Sequence, residues 1–400
     1  MAEFITAREA ARLIPNGATV GVGGMGLSGW PEEVAQEIAN NFKEEGFPRD
    51  LHLKQGCAMG DWGERGITRL GIEGLVKAWD AAHIGSAFAL CDLARANKIQ
   101  CHCLPQGVII HLWREIAAHR PGIITKVGMG TFVDPRVEGG RMNEATKEDI
   151  CELINFKGED YLFYKSFPLN VALLRGTTAD EDGNITFEKE SIINEGYSIA
   201  AAAKNSGGIV IVQVEYAAKR GTMNPKEVKI PGIMVDYVVV ATKQEACWQA
   251  EGVYYEPAFS GAIKKPLDMI KPLELSERKI VARRCAMELR RGDTTNLGVG
   301  MSSDVANIAA EEGYSDAITL TAESGMVGGV PSALPNFGSS YNPQATIEHG
   351  RLFDSSEGVQ PAEVSTASTR TLRAAPPVLG AIAMDDTCLP PPAWVTTRPG

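Results

Sequence analysis

The chain has 400 residues, 44 % of them apolar and 22 % charged, enough material for about two or three domain cores. A formal charge of −11 leaves no basic footprint of the kind that nucleic acid or an anionic membrane surface requires. No uninterrupted apolar stretch approaches the roughly 20 residues that span a bilayer, and Met1-Ala2-Glu3 leads into an amphipathic segment, so the expected location is cytoplasmic.

Thr6-Ala7-Arg8-Glu9 is a capping box, and Ala10, Leu13 and Ile14 follow at helical spacing as far as Pro15-Asn16-Gly17. A short strand is predicted from Ala18 to Val22. It breaks into Gly23-Gly24-Met25-Gly26-Leu27-Ser28-Gly29. Pro31 then suits a first helical position, and Val34, Ile38 and Phe42 share one helix face. A helix is predicted from Ser198 to Asn205. The β-branched runs Gly208 to Val214 and Val235 to Ala241 read as strands covered on both faces. Glu251 to Pro272 is rich in Pro, Gly, Tyr and Lys and reads as a connection.

From Ser276 the first order of elements recurs: a helix with Ile280, Val281, Cys285 and Leu289, a break at Arg291-Gly292-Asp293, and a strand from Thr295 to Val299. Gly300-Met301-Ser302-Ser303 then leads to a helix carrying Val305, Ile308 and Ala309. Gly21-Val22-Gly23 in the first copy matches Gly298-Val299-Gly300 in the second. The expected class is α/β, with two tandem related open α/β domains, the second incomplete: residues 1–255, a connection at 256–275, and a partial domain at 276–354.

Three local patterns invite a chemical reading. Gly21-x-Gly23-x-x-Gly26 between strand and helix has the form of a dinucleotide fingerprint, but the next strand, Leu51-His52-Leu53-Lys54, lacks the acid that would hold a ribose. An anion cradle for another ligand and a merely tight turn both remain open. Cys101-His102-Cys103 has no second ligand pair at zinc spacing, and adjacent strand residues face opposite ways, so ordinary buried thiols are the preferred reading. Asp180-Glu181-Asp182-Gly183-Asn184 lacks the later bidentate Glu of a calcium loop and reads as a hairpin turn.

Thr319-Leu320-Thr321-Ala322-Glu323 is an apolar strand ending at a carboxylate, where ligands of open α/β sheets sit. Glu323-Ser324-Gly325, with Gly328-Gly329-Val330-Pro331 and Asn336-Phe337-Gly338 after it, resembles the active-site segment of family I CoA-transferases, closest to the acetate/propionate type. Residues Gly23 to Glu32 resemble that family's CoA-binding glycine loop. Leu104-Pro105-Gln106-Gly107, the run Gly130 to Pro135, Gly176 to Asn184 and Pro231 to Asp236 extend the likeness over residues 1–354.

The resemblance implies a ping-pong exchange of CoA between short-chain acyl-CoA and free carboxylic acids, with Glu323 as covalent nucleophile. Gly23, Gly24, Met25, Gly26, Leu27, Ser28 and Gly29 would hold CoA, and Ser324, Gly325, Gly328 and Gly329 would line the acyl pocket; Gln106 either joins them or is a loop amide that satisfies backbone groups. A carboxylate suits the role, because at an ordinary pKa of ~4.3 it is ionised at neutral pH and needs no partner base. CoA is then a substrate, no metal or other cofactor is implied, and a homo-oligomer is implied for full-length members. For polyanionic CoA in so acidic a chain, backbone amides and helix N-termini would have to supply local positive potential. A CoA-binding module without turnover and, third, an NAD-dependent dehydrogenase are the competing readings.

Beyond Phe353-Asp354 the family pattern stops. Residues 355–400 contain seven prolines and no Lys, Phe or Tyr, and show no sustained period. They read as a foreign or frame-shifted tail, expected to be disordered. Since family members place a glycine-rich segment there, little transferase activity is expected of the chain as written.

Overall fold

A computed structural model of the chain describes residues 2–57, 59–298, 300–322, 324–332, 335–336 and 338–348. Its centre is an eight-stranded sheet in the spatial order Glu3–Phe4, Tyr237–Val240, Ile209–Val214, Val171–Arg175, Thr19–Val22, Leu51–Gln55, Val76–Ala81, Gln100–Cys103. Every neighbouring pair is parallel. Such a sheet must be covered on both faces, because its crossovers lay helices on each side.

The period-2 alternation of the strands sorts their side chains accordingly. Val20, Leu53, Val171, Leu173, Ile211 and Val239 face one core, with helices Ala7–Arg12, Glu32–Glu45 and Phe88–Arg95. Ala172, Leu174, Val210, Val212 and Val238 face the other, with helices Gln106–Ala117 and Gly196–Asn205.

The capping box forms as read: the Thr6 hydroxyl accepts from the Glu9 amide, and the Glu9 carboxylate accepts from the Thr6 amide at 2.8 Å. Pro31, expected at the first helical position, is the N-cap of Glu32–Glu45 instead. Gly46 closes that helix at φ 69°, a left-handed conformation that favours glycine.

The recurring order is also present. Helix Glu277–Ala286, strand Thr294–Leu297 and helix Asp304–Glu311 repeat it, with Val305, Ile308 and Ala309 buried. Strands Thr294–Leu297 and Thr319–Ala322 pair in parallel, and Met326–Val327 and Ala345–Thr346 extend the sheet antiparallel. Val299, read as the end of the second-copy strand, lies outside the described residues, as do 355–400. The helix face differs from expectation at Ile280, which is 58 % exposed. Ser276 caps the helix in a phase that buries Lys279, Ala282 and Ala286, and the Lys279 ammonium is held by Leu273 O and the Glu311 carboxylate. No helix among the described residues is long and apolar enough to cross a membrane.

Candidate active site

The glycine loop leaves the carboxyl end of strand Thr19–Val22 and closes on itself. The Met25 amide donates to Ser28 O at 3.0 Å, and the Ser28 amide donates back to Met25 O at 2.9 Å. Gly24 has φ 124°, and a Cβ there would lie 2.3 Å from Ser28 O. Gly26, at φ 60°, is the loop's tip: a Cβ there would meet nothing within 4 Å. Gly23, Gly24, Met25, Leu27, Ser28 and Gly29 are buried, so only the tip faces outward. Ser28 Oγ donates to Gln249 O, where it is joined by Ser191 Oγ at 2.9 Å. That hydroxyl is therefore committed to the protein rather than to a ligand.

The helix after the loop does not offer the anion site its position suggests. The Glu33 and Val34 amides donate to the Gln213 side-chain oxygen at 2.9 and 3.3 Å, and the Glu32 amide donates to Trp30 O. Its first turn also carries Glu32 and Glu33. With its orphan donors satisfied and acids beside them, this terminus lacks what a dinucleotide's pyrophosphate needs.

Beneath the loop lies an ion pair that sequence reasoning missed, its arginine fully buried. Arg175, the last residue of strand Val171–Arg175, is 1 % exposed. It pairs with Glu190 through Nε at 3.3 Å and Nη2 at 2.5 Å. It also donates to Leu27 O at 3.1 Å, Trp30 O at 3.3 Å and Trp248 O at 2.6 Å. Burial works against the charged guanidinium, but the Glu190 carboxylate outweighs it and the pKa is raised. One sequence signal existed: a charge closing an otherwise apolar strand.

Glu323 lies outside the described residues; its neighbours in sequence do not. Ala322 packs in one buried cluster with Met25, Cys57, Ile192 and Met326. Ser324 is fully buried, and its hydroxyl donates to Gly338 O. A Cβ on Gly338 would fall 1.7 Å from Met25 Cε, a movable side-chain tip, and the backbone there, at φ 94°, favours glycine. The strand end read as catalytic and the glycine loop read as CoA-binding are thus in contact. Gly325, Gly328 and Gly329 have φ of 95°, 74° and 75°, and a Cβ on Gly325 or Gly329 would lie 2.3 or 2.2 Å from a carbonyl oxygen. Tight backbone turns account for these three glycines. Gln106 opens helix Gln106–Ala117 rather than sitting in a loop. Glu348 is tied to two helices of the large sheet's cover, accepting from Ser198 Oγ of Gly196–Asn205 at 2.8 Å and pairing with Arg114 of Gln106–Ala117.

The Cys101-His102-Cys103 strand carries a different constellation. Lys54, Asp80 and His102 are lateral neighbours on three parallel strands. His102 Nδ1 lies 2.9 Å from Asp80 Oδ1, and Nε2 lies 2.8 Å from Glu148 O. A carbonyl and an ionised carboxylate can only accept, so both ring nitrogens donate and the imidazole is charged. Its pKa is accordingly raised, against the effect of burial. Burial pushes the Cys103 thiol up to about 12. Asp180 caps its turn, accepting from the Asp182 and Asn184 amides at 3.0 and 2.9 Å.

Fold and site together define an open α/β protein whose strand-end glycine loop meets a second unit ending its strand beside Glu323. Comparison with known proteins narrows this. The model of the coenzyme A transferase family matches residues 4–241, and the chain belongs to that family. It is 69 % identical over 358 residues to a caffeate CoA-transferase of Acetobacterium woodii, covering 90 % of this chain and 68 % of the relative. It is 40 % identical over 353 residues to the acetate CoA-transferase YdiF of Escherichia coli O157:H7, covering 88 % and 66 %. The crystal structure described as a YdiF thioester complex with CoA superposes with a TM-score of 0.80 at 38 % identity, covering 87 % of this chain and 65 % of that one. The chain thus spans about two thirds of the length of these relatives.

Proposed function

We propose that this chain carries the CoA site and the nucleophile of a CoA-transferase. The observation that carries the reading is the approach of the glycine loop to the residues flanking Glu323: Met25 shares one buried cluster with Ala322, and its tip lies against Gly338, whose carbonyl accepts from Ser324. The 38 % identical structure described as a thioester complex with CoA supports a covalent route.

The Glu323 carboxylate attacks the donor's thioester carbonyl, expels CoA thiolate and forms an acyl-glutamyl anhydride. The thiolate attacks the glutamyl carbonyl, releasing the first acid and leaving a glutamyl-CoA thioester. An acceptor carboxylate attacks that thioester to give a new anhydride and thiolate, and the thiolate takes the new acyl group, restoring the Glu323 carboxylate. Only acyl groups and thiolate move, so no metal or redox cofactor is required. A carboxylate is a weak nucleophile, and the rate rests on positioning and on amides aimed at the developing oxyanion.

For the acid, two readings have separate support. The 69 % identity to a caffeate enzyme favours a hydroxycinnamate, and the 40 % identity to an acetate enzyme favours acetate or propionate. Pocket shape decides between them, and a single methylene is worth only ~1–3 kcal/mol. The test incubates the full chain with acetyl-CoA and either caffeate or labelled propionate, and follows the new thioester. Faster caffeoyl-CoA formation supports the first reading and faster propionyl-CoA the second. CoA binding without exchange supports the module lacking turnover. Nicotinamide dinucleotide binding in place of CoA binding would overturn the assignment.

A further inference from the structure

We propose that Arg175 is the positioning residue of the CoA loop, and that with Glu190 it fixes the Leu27–Trp30 backbone to the segment through which the chain passes towards its second unit. The proposal rests on the reading that the glycine loop binds CoA.

A guanidinium has five N–H donors in a fixed fork. Here each has a partner: Nε and one Nη2 hydrogen meet the two Glu190 oxygens, the Nη1 hydrogens meet Leu27 O and Trp30 O, and the second Nη2 hydrogen meets Trp248 O. Three of the acceptors are backbone carbonyls, two in the glycine loop and one beyond the last strand of the large sheet. Holding Leu27 O and Trp30 O inward fixes the orientation of the peptide planes they belong to, and thereby the path of the loop around Gly26. A lysine, a point charge with three donors, cannot hold this plane.

The same segment is tied to the loop independently. Gln249 O accepts from both Ser28 and Ser191, Gln249 Nε2 donates to Lys189 O at 2.7 Å, and its Oε1 accepts from the Glu256 amide at 2.7 Å. Gln213, besides capping helix Glu32–Glu45, donates to Ala246 O at 2.9 Å. The loop, the helix after it and residues 246–256 therefore form one hydrogen-bonded body with Arg175 at its centre. A buried charge with this many backbone partners exceeds what sheet stability needs, since an apolar residue of similar volume often serves a core as well.

The experiment compares CoA affinity by calorimetry for the full chain, Arg175→Lys, Arg175→Gln and Glu190→Asp, with Asp80→Asn as a buried-charge control away from the loop. Hydrogen exchange of Met25–Trp30 and of Trp248–Gln249 is read alongside. Arg175→Lys and Arg175→Gln are expected to weaken CoA binding about ten-fold or more, the loss of roughly one charged hydrogen bond. Exchange is expected to rise in both segments together, while Asp80→Asn binds CoA within about two-fold of the parent. Glu190→Asp keeps the charge but draws it back by one methylene, and should move both readouts the same way if the Arg175 variants do not fold. Unchanged affinity and exchange in the folded variants, or an equal affinity loss in Asp80→Asn, would overturn the proposal. If the parent chain binds no CoA, the ligand reading fails by itself. The joint rise in exchange then still supports the coupling, and its absence overturns it.

Discussion

Gly24→Ala and Gly26→Ala place the same methyl group two residues apart in one loop, and the structure predicts very different costs. At Gly24 the backbone has φ 124°, and the new Cβ falls 2.3 Å from Ser28 O and 2.8 Å from Met59 Cε. The methionine tip can move; the carbonyl can do so only by opening the reciprocal Met25–Ser28 bonds. A side chain in that backbone region costs ~1–3 kcal/mol, and two broken backbone bonds add about 1 kcal/mol each, giving ~3–5 kcal/mol. Gly26→Ala meets no atom within 4 Å and carries only the left-handed penalty of ~1–2 kcal/mol. Urea unfolding followed by tryptophan fluorescence should separate the two by ~2–3 kcal/mol, or roughly 1 M in midpoint for a chain of this size. Equal midpoints, or Gly26→Ala as the weaker protein, would refute the loop geometry.

Burial raises the Asp80 carboxyl, but Lys54 and His102 outweigh it and hold the pKa near about 2, below the ordinary 3.8. Its contribution is thus present above the unfolded value and lost as pH falls through about 4 to 2. Asp80→Asn should cost ~2 kcal/mol at neutral pH and flatten the acid limb of a stability–pH curve. The raised His102 pKa has the opposite sign: its contribution is full below ~6.5 and declines as pH rises through the folded value, so His102→Gln should lose that alkaline decline. Burial, with Asp61 nearby, pushes Glu251 to about 7, so its carboxyl favours the fold below ~4.5 and loses that advantage as pH rises through about 7. Glu251→Gln should therefore be no more stable than the parent at pH 4 and more stable by ~1 kcal/mol, after solvent screening, at pH 8; thermal melts at the two pH values check it.

Elements whose signal is local were legible in the sequence. The capping box at Thr6, the strands at Ile209–Val214 and Tyr237–Val240, and the turn at Asp180 follow from residues within a few positions of one another. The recurrence after Ser276 was legible because glycine and helix signals repeat in order. Phase and partner were not. Nothing near Ile280 announces that Lys279 will be drawn inward by Glu311, which lies a helix and a strand away. The helix after the glycine loop reads as an anion site until Gln213, distant in sequence, occupies its amides. Arg175 could be flagged as a charge ending a buried strand, but its carbonyl acceptors 148 and 73 residues away belong to the tertiary fold.

On the proposed mechanism Glu323 carries the acyl group and then CoA. Incubating the full chain with acetyl-CoA, trapping with borohydride and locating the reduced residue by peptide mass spectrometry tests it directly. Because trapping counts one covalent event per chain, it reads the nucleophile even where turnover is slow. A single reduced side chain is expected at Glu323, and none in Glu323→Gln. Reduction at another carboxylate, the same yield from Glu323→Gln, or no reduction while CoA is bound at saturation would contradict it.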